Sequence, residues 1–149
     1  MRHSVLENRQ KWQKSKIKKA NNMNITSIGY FREMRDGSPG DPSIKDYVNK
    51  GAGYPIDKIC AYLDSGVPLI VSPGFVLDVI DENKGNAGTP SILTDGKWAW
   101  SGVLSYYVKN YNILLDSEFI DTMMSNNWKI PVNENELDHS SILLDGNPL

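Results

Sequence analysis

The stretch TDGKWAWSG, residues 94–102, decides how the middle of this chain folds. Asp95-Gly96 is a strong signal for a two-residue β-hairpin loop, and the runs SILT before it and KWAW after it favour strands. A two-residue loop at Asp95-Gly96 would place Leu93 opposite Trp98. Because side chains alternate along a strand, Trp98 and Trp100 should then point to the same face of the sheet.

Two roles are open for the two tryptophans. In the first, they form a structural aromatic platform under the neighbouring helices, and the chain supplies large apolar residues at helical spacing for this purpose. We expect this platform to contain Trp98, Trp100, Tyr107, Tyr111 and Trp128. In the second, one indole ring stays partly exposed and anchors a partner.

Helical patterns occur on both sides of the hairpin. They predict a short helix after Asp41-Pro42, a second in YPIDKICAYLDSG (54–66), a third in VLSYYVKNY (103–111) and a fourth capped by Asp116 or Ser117. The runs VPLIVS and FVLDVI are typical of strands or extended segments. The predicted fold class is α+β, with a small, mostly antiparallel sheet that includes the D-G hairpin and packs against about four short helices.

Charge divides the chain into an arm and a body. The first twenty residues carry seven Lys or Arg and one Glu, a net charge of +6, and since the whole chain carries −2, the remainder carries −8. Residues 1–24 have few apolar side chains and no helical stripe, so they are expected to form a disordered basic arm. They could also be a segment that touches nucleic acid, or sequence upstream of a natural start at Met23. Residues 25–149 are expected to form a single α+β domain.

The sequence argues against a secreted protein and against a membrane-spanning one. A single cysteine, Cys60, cannot form an internal disulfide, and the N-terminus lacks the apolar segment of a secretory signal. The most apolar region, residues 67–80, is interrupted by Pro73, Gly74 and Asp78 and cannot span a bilayer. These features predict a cytoplasmic protein.

The usual catalytic and cofactor signatures are missing from the sequence. The two histidines, His3 and His139, lie near opposite ends, and no His/Cys pair has metal-ligand spacing. The glycine-rich stretch after Gly37 has neither P-loop nor dinucleotide spacing. Cys60 lies on an apolar helical face and reads as a small core residue. The sequence therefore predicts no catalytic residue, no cofactor and no metal ligand, and the chain is not expected to be an enzyme.

The segment 92–131 resembles a block found in small bacterial proteins associated with polymorphic-toxin and contact-dependent growth inhibition loci. The block reads TDG-x-W-x-W, then L-x-YYV-x-x-Y, F-x-x-x-M and W-x-x-P, and the similarity extends back to about Ile56, over roughly half of the chain. The matching residues are Thr94, Asp95, Gly96, Trp98, Trp100, Leu104, Tyr106, Tyr107, Val108, Tyr111, Phe119, Met123, Trp128 and Pro131. Ser101 and Asp116 stand where the block would have prolines.

The resemblance implies a cytoplasmic immunity protein that neutralises a cognate bacterial toxin by binding it. An acidic body suits this role if the toxin is a nuclease with a basic groove, whereas it disfavours nucleic acid as a partner except through the basic arm. No membrane partner is expected. The alternative is a small ligand-binding or regulatory domain whose aromatic pocket holds a metabolite.

Acidic residues late in the chain are the candidate contacts for such a partner. From Asn110 to Leu149 the chain has seven Asp or Glu and only Lys129 as a basic residue. Two groups stand out: Asp116, Glu118 and Asp121 at the start of the fourth helix, and Glu134, Glu136 and Asp138 after it. The macrodipole of the helix explains the first group without a partner. The second group has no such explanation in the sequence and is the stronger candidate.

Overall fold

A computed structural model describes residues 22–149 of the chain. The predictions for residues 1–21, which make up most of the basic arm, lie outside the described residues. Met23 and Asn24, assigned to the arm from the sequence, are the first residues of a strand. These two residues therefore belong to the folded part of the chain.

The α+β class is confirmed. The strands are β1 (Met23–Ser27), β2 (Val67–Ile70), β3 (Val76–Leu77), β4 (Asn86–Gly88), β5 (Ile92–Thr94), β6 (Trp98–Ser101), β7 (Ile142–Leu144) and β8 (Asn147–Pro148). The α-helices are α1 (Ile56–Asp64), α2 (Leu104–Tyr111) and α3 (Ser117–Ser125). Short 3₁₀ helices cover Ile44–Tyr47, Glu82–Lys84, Glu134–Glu136 and His139–Ser141. The sequence predicted α1, α2 and α3 correctly, but the helix predicted after Asp41-Pro42 is only a 3₁₀ turn.

The six-stranded sheet differs from the expectation at its centre. Its order is β2-β5-β6-β1-β7-β8, and β3 pairs with β4 in a separate two-stranded sheet. The hairpins are antiparallel, but β1 runs parallel to both of its neighbours, β6 and β7. The expectation of a mostly antiparallel sheet is therefore too simple, because the N-terminal strand inserts between two segments that are distant in sequence.

The central hairpin forms, but its register differs from the prediction by two residues. Leu93 pairs with Trp100 and Thr94 with Ala99, so the loop is Gly96-Lys97 and not Asp95-Gly96. Asp95 is the cause, because its carboxylate accepts hydrogen bonds from the backbone N–H groups of Lys97 (2.9 Å) and Trp98 (2.7 Å). Gly96, with φ of +96°, then occupies the first loop position, where glycine is favoured in a II′ hairpin turn.

The core lies on both faces of the sheet. Trp98 and Trp100 pack with the helices on one face, while Ala99 between them belongs to a smaller cluster on the other face. This alternation follows from the period of two along a strand. The smaller cluster contains Ile25, Val67, Leu69, Ala99, Leu137 and Ile142.

The last hairpin was not predicted. In β7–β8, Leu144 pairs with Asn147, and Asp145-Gly146 forms the two-residue loop with φ of +52° and +83°. Positive φ at both positions is the type I′ geometry that an Asp-Gly pair favours. The Asp-Gly hairpin signal therefore occurs twice in the sequence, at Asp95-Gly96 and at Asp145-Gly146. Only the signal at Asp95-Gly96 was recognised.

Candidate functional site

The aromatic residues of the expected platform divide into buried and partly exposed rings. Trp100 is 0% exposed, its indole N–H donates to the carbonyl of Leu63 (3.1 Å), and its ring centroid lies 5.2 Å from that of Phe119. Tyr107 and Tyr111 are buried and stack at 6.2 Å. Together these rings pack the helices onto the sheet.

Trp98 and Trp128 remain half-buried. The indole N–H of Trp98 donates to the hydroxyl of Thr122 (2.9 Å), and the ammonium of Lys97 lies 5.5 Å from its ring. The ammonium of Lys58 lies 5.7 Å from the Trp128 ring. Neither Trp98 nor Trp100 lines either of the two cavities described below.

The acidic candidates lie on exposed surface but have different surroundings. Asp116 occupies the N-cap position of α3 without a side-chain cap hydrogen bond, and Glu118 and Asp121 are exposed on the same helix. Glu134 and Glu136 are exposed on a 3₁₀ helix. Asp138 caps the next 3₁₀ helix by accepting a hydrogen bond from the N–H of Ser140 (3.1 Å). The sequence interpretation that no cap explains the second group is therefore wrong for Asp138.

A cleft of about 570 Å³ opens where β1 ends. Four aspartates line it, and none of its lining residues is Lys, Arg or His. The lining residues are Ser27, Ile28, Gly29, Tyr30, Phe31, Asp36, Ser38, Asp41, Pro42, Tyr47, Ile92, Leu114, Leu115, Asp116 and Asp145. Of the six acidic candidates from the sequence, only Asp116 belongs to this cleft.

Backbone contacts bring distant segments to the cleft. The turn between β7 and β8 folds beside the end of β1, where Asp145 accepts hydrogen bonds from the N–H (2.8 Å) and hydroxyl (2.5 Å) of Ser27. The N–H of Leu114 donates to the carbonyl of Tyr47 (3.2 Å), which joins the segment before α3 to the 3₁₀ helix that carries Tyr47. The lining of the cleft thus comes from segments that are far apart in the chain, which sequence spacing alone could not place together.

The aspartates of the cleft are only partly neutralised. Asp36 forms a salt bridge with Arg35 at 3.0 Å. Asp41 accepts a hydrogen bond from the N–H of Ser38 (2.8 Å), and Asp145 is held by Ser27. Among the residues that the structure describes, no basic side chain pairs with Asp41, Asp116 or Asp145. The cleft therefore concentrates negative potential between low-dielectric walls.

Tyr30, a lining residue of the cleft, carries an unusual buried polar group. Within residues 22–149, its hydroxyl is the one buried side-chain polar atom that lacks a hydrogen-bond partner. Burial raises the pKa of Tyr30, and the charges of Asp36 and Asp145 raise it further, so the hydroxyl stays protonated. A buried hydroxyl without a partner costs about 1–3 kcal/mol, and this cost disappears when a bound group supplies one.

A second cavity, of about 240 Å³, shares Tyr30 and Asp36 with the cleft as lining residues. Its lining is largely apolar, with charged side chains at Glu33, Arg35 and Asp36. The apolar side chains are Met34, Val76, Val79, Pro90 and Val103. It is the smaller and less polar of the two cavities.

An apolar loop forms a further surface beside the edge strand β2. Val71 is 75% exposed, Phe75 69% and Leu77 55%, which is high for large apolar side chains. This loop is fixed at its end by Asp78, which is fully buried and accepts hydrogen bonds from the hydroxyls of Tyr106 (2.7 Å) and Tyr111 (2.6 Å). The exposed side chains are therefore presented on an anchored segment.

Asp78 is a buried carboxylate whose charge is stabilised by hydrogen bonds. The N–H groups of Ile80 (2.7 Å) and Asp81 (2.8 Å) complete its four donors. Burial alone would raise the pKa of Asp78, but the donated hydrogen bonds outweigh burial and hold the pKa below its usual value. Burial, and after it the hydrogen bond to Asp78, raises the pKa of Tyr106 to about 12.

Possible metal ligands and the single cysteine are the other groups that could carry chemistry in the described residues. No group of three or more His, Cys, Asp or Glu in residues 22–149 is arranged to hold a metal ion. Cys60 is half-buried, and burial raises the pKa of its thiol, which favours the unreactive protonated form.

The sequence missed most of the cleft. Asp36 and Asp41 are the first and last residues of the turn-rich DGSPGD segment, and Asp145 starts the unrecognised hairpin loop, so each of them has the pattern of an ordinary turn residue. Their proximity depends on the parallel pairing of β1, which no local pattern predicts. Of the four aspartates, only Asp116 was identified from the sequence, as part of the acidic group at the start of α3.

No helix in the described part of the chain has the length and apolar character needed to cross a membrane. In comparisons with known proteins, the chain matches no protein family, no curated protein and no solved structure.

Proposed function

We propose that this chain is a cytoplasmic, non-catalytic binding protein of the immunity type, which neutralises a cognate bacterial toxin by binding it. The observation that carries the proposal is the acidic cleft at the end of β1, which has four aspartates and no basic lining residue. Such a surface favours a positively charged partner and disfavours a phosphate-bearing one.

A toxin with a basic substrate groove fits this surface. Such a groove attracts an acidic protein over a distance of about 10 Å at moderate salt, which accelerates encounter. A nuclease is the kind of toxin whose substrate requires a basic groove. Binding across the groove would block the substrate without any chemistry on the part of the inhibitor.

The apolar loop gives the proposed complex a source of affinity that charge does not supply. Val71, Phe75 and Leu77 are exposed, and Asp78 anchors the loop in the free protein. Apolar anchors that are ordered before binding lose little conformational entropy when they enter a partner's pocket.

Growth rescue tests the proposal. The product of the neighbouring reading frame is induced in a bacterial host with and without this chain. We expect the product alone to stop growth and co-expression to restore it, with both proteins recovered as one complex. An inert neighbouring product, or toxicity that this chain does not relieve, would contradict the proposal.

The smaller cavity favours one alternative, a small ligand-binding or regulatory domain. Its lining combines apolar residues with the hydroxyl-bearing side chains of Tyr30 and Tyr107. A small molecule that remains with the purified protein and is lost in Val103→Trp would support this alternative, because a large side chain at this position would fill the cavity.

A further inference from the structure

We propose that the free chain pairs with a second copy of itself through the apolar loop and Ile70, the last residue of β2, so that the exposed side chains of the two copies cover each other about a two-fold axis. The dimer concerns the free chain and does not depend on a toxin. In the proposed function the toxin contacts the same loop, so the dimer and the toxin complex exclude each other. This exclusion, which regulates the site, rests on the proposed function.

Exposed apolar side chains are concentrated in this segment. Seven large apolar side chains are exposed in residues 22–149, and four of them lie within the eight residues that end at Leu77. These four are Ile70, Val71, Phe75 and Leu77. Single exposed apolar residues are ordinary on a protein surface, whereas several in one short segment mark an interaction site.

The charge of the chain favours this segment as the place where two copies meet. Residues 21–149 carry a net charge of −8, so two copies repel each other when they approach through their acidic surfaces. From Gly66 to Leu77 the sequence contains no Asp, Glu, Lys, Arg or His. Two copies of this segment can therefore come into contact without bringing like charges together.

Two charged groups that lie against the loop are already balanced. Arg35 donates a hydrogen bond to the hydroxyl of Ser72 (3.3 Å) and forms a salt bridge with Asp36 at 3.0 Å. Asp78, which ends the loop, is fully buried and accepts four hydrogen bonds. The pair of Arg35 and Asp36 therefore adds no net charge to the contact, and the carboxylate of Asp78 lies beneath it.

The loop is ordered before association. The N–H of Ser72 donates to the hydroxyl oxygen of Ser91 (3.0 Å), and the end of the loop pairs with β4 in the two-stranded sheet. Side chains that are held in place in the free protein lose less conformational entropy when a second surface covers them. The loop is thus prepared for a contact without rearrangement.

Side chains, and not a strand ladder, carry the contact. The strand β2 lies at the edge of the six-stranded sheet, beside β5. Pro68 has no N–H group, and the register of β2 is irregular between Pro68 and Ile70. Both features hinder the addition of a further strand at this edge, so the two copies do not join their sheets.

The exposed apolar area matches that of a stable dimer. A standard interface buries about 800 Å² per partner and is about 56–65% apolar, which gives roughly 450–520 Å² of apolar surface. If a fully accessible large apolar side chain exposes about 150–200 Å², the four side chains together expose roughly 400 Å² per copy. We therefore expect a dissociation constant of about 1–50 µM.

Sedimentation equilibrium of the full chain tests the dimer at concentrations from about 1 to 200 µM. We expect the average mass to rise from that of one copy to that of two over this range. Added salt should not weaken the association, because the contact is apolar and screening reduces the repulsion between the acidic bodies. Association that weakens as salt is added would show that charges hold the copies together, and it would overturn the proposal.

Two variants locate the contact. Phe75→Ser should raise the dissociation constant about tenfold or more, and Val71→Thr about fivefold, because each change occurs in both copies. Since both side chains are exposed, neither variant should lower the melting temperature. Met124→Ser is the matched control, because Met124 of α3 is as exposed as Leu77 but lies outside the loop. It should leave the dissociation constant within about twofold.

A single copy at every concentration, or equal losses in the loop variants and the control, would overturn the dimer and leave the proposed function standing. When the neighbouring reading-frame product is added, the dimer should convert into a complex with one copy of each protein. A complex that retains two copies of this chain would contradict the exclusion. If the neighbouring product proves inert, the proposed function fails, and the sedimentation of the free chain still decides the dimer.

Discussion

Trp100 shows how one residue joins the two layers of the fold. Its ring is fully buried on the helical face of β6, contacts Phe119 of α3, and donates to a carbonyl at the end of α1. Gly66 lies against it, since a Cβ atom there would come within 2.6 Å of the indole ring. The sequence left open whether this ring is core or anchor, and the structure places it in the core.

Trp100→Ala should lower the free energy of unfolding by about 3–5 kcal/mol, because it removes a large buried ring that the helices cannot collapse to fill. Urea denaturation followed by circular dichroism measures the change. Trp98→Ala is the comparison and should cost less, because Trp98 is half-buried. Equal losses at the two positions would contradict this description of the core.

Asp78 should make the free energy of unfolding depend on pH in the acidic range. Its pKa is lower in the folded chain than the ordinary value of about 3.9, so its contribution to stability is complete above that pH and is lost as the pH falls through the folded pKa. Asp78→Asn should cost about 2–4 kcal/mol at neutral pH, because an amide nitrogen cannot accept the donated hydrogen bonds. Below about pH 4 the difference between variant and wild type should shrink. Urea midpoints from pH 7 to pH 2.5 would measure this, and a constant difference would contradict the assignment.

At the level of elements, the helices were predictable and the sheet was only partly so. The helices α1 to α3 were predictable because the apolar spacing that indicates each helix lies entirely within its own segment. The register of β5–β6 depends on side-chain hydrogen bonds of Asp95, and the position of β1 depends on partners more than seventy residues away. For the same reason the sequence identified Asp116 as a candidate but could not bring Asp36, Asp41 and Asp145 beside it.

The β7–β8 turn allows a clean test of backbone conformation. Gly146 has φ of +83°, and a Cβ atom there would meet nothing within 4 Å. Gly146→Ala should therefore cost about 1–2 kcal/mol from conformation alone. Gly40→Ala also places its Cβ in open space but without a positive φ, so it should be nearly neutral. Similar effects of the two changes on thermal denaturation would contradict the type I′ assignment.

The strand β1 should set the limit for truncation. A chain that starts at Met23 keeps all of β1 and should unfold cooperatively at the same temperature as the full chain. A chain with an initiator methionine followed by Ile28 lacks β1 and should not fold, because β6 and β7 would each lose a hydrogen-bonded neighbour. Loss of cooperative unfolding in the chain that starts at Met23 would show that earlier residues contribute to the fold.

At the scale of the whole molecule, the acidic surface has two separable parts. Asp41 and Asp116 lie in the cleft, while Glu134 and Glu136 are exposed on a 3₁₀ helix and do not line it. Asp138 should be left unchanged in variants that test surface charge, because its replacement would also remove the cap of a 3₁₀ helix. Charges that only steer a partner affect the association rate, whereas charges that contact it also affect dissociation.

The most direct measurement of the proposed function is the kinetics of binding to the neighbouring reading-frame product over a series of salt concentrations. We expect the wild-type chain to bind this product and to associate faster at low salt, and we expect Glu134→Gln with Glu136→Gln to reduce only that association rate. Asp41→Asn with Asp116→Asn should also speed dissociation, by about tenfold or more. No binding at any salt concentration, in correctly folded proteins, would contradict the proposed function. Binding with a dissociation rate that the cleft variant leaves unchanged would show that the partner docks elsewhere.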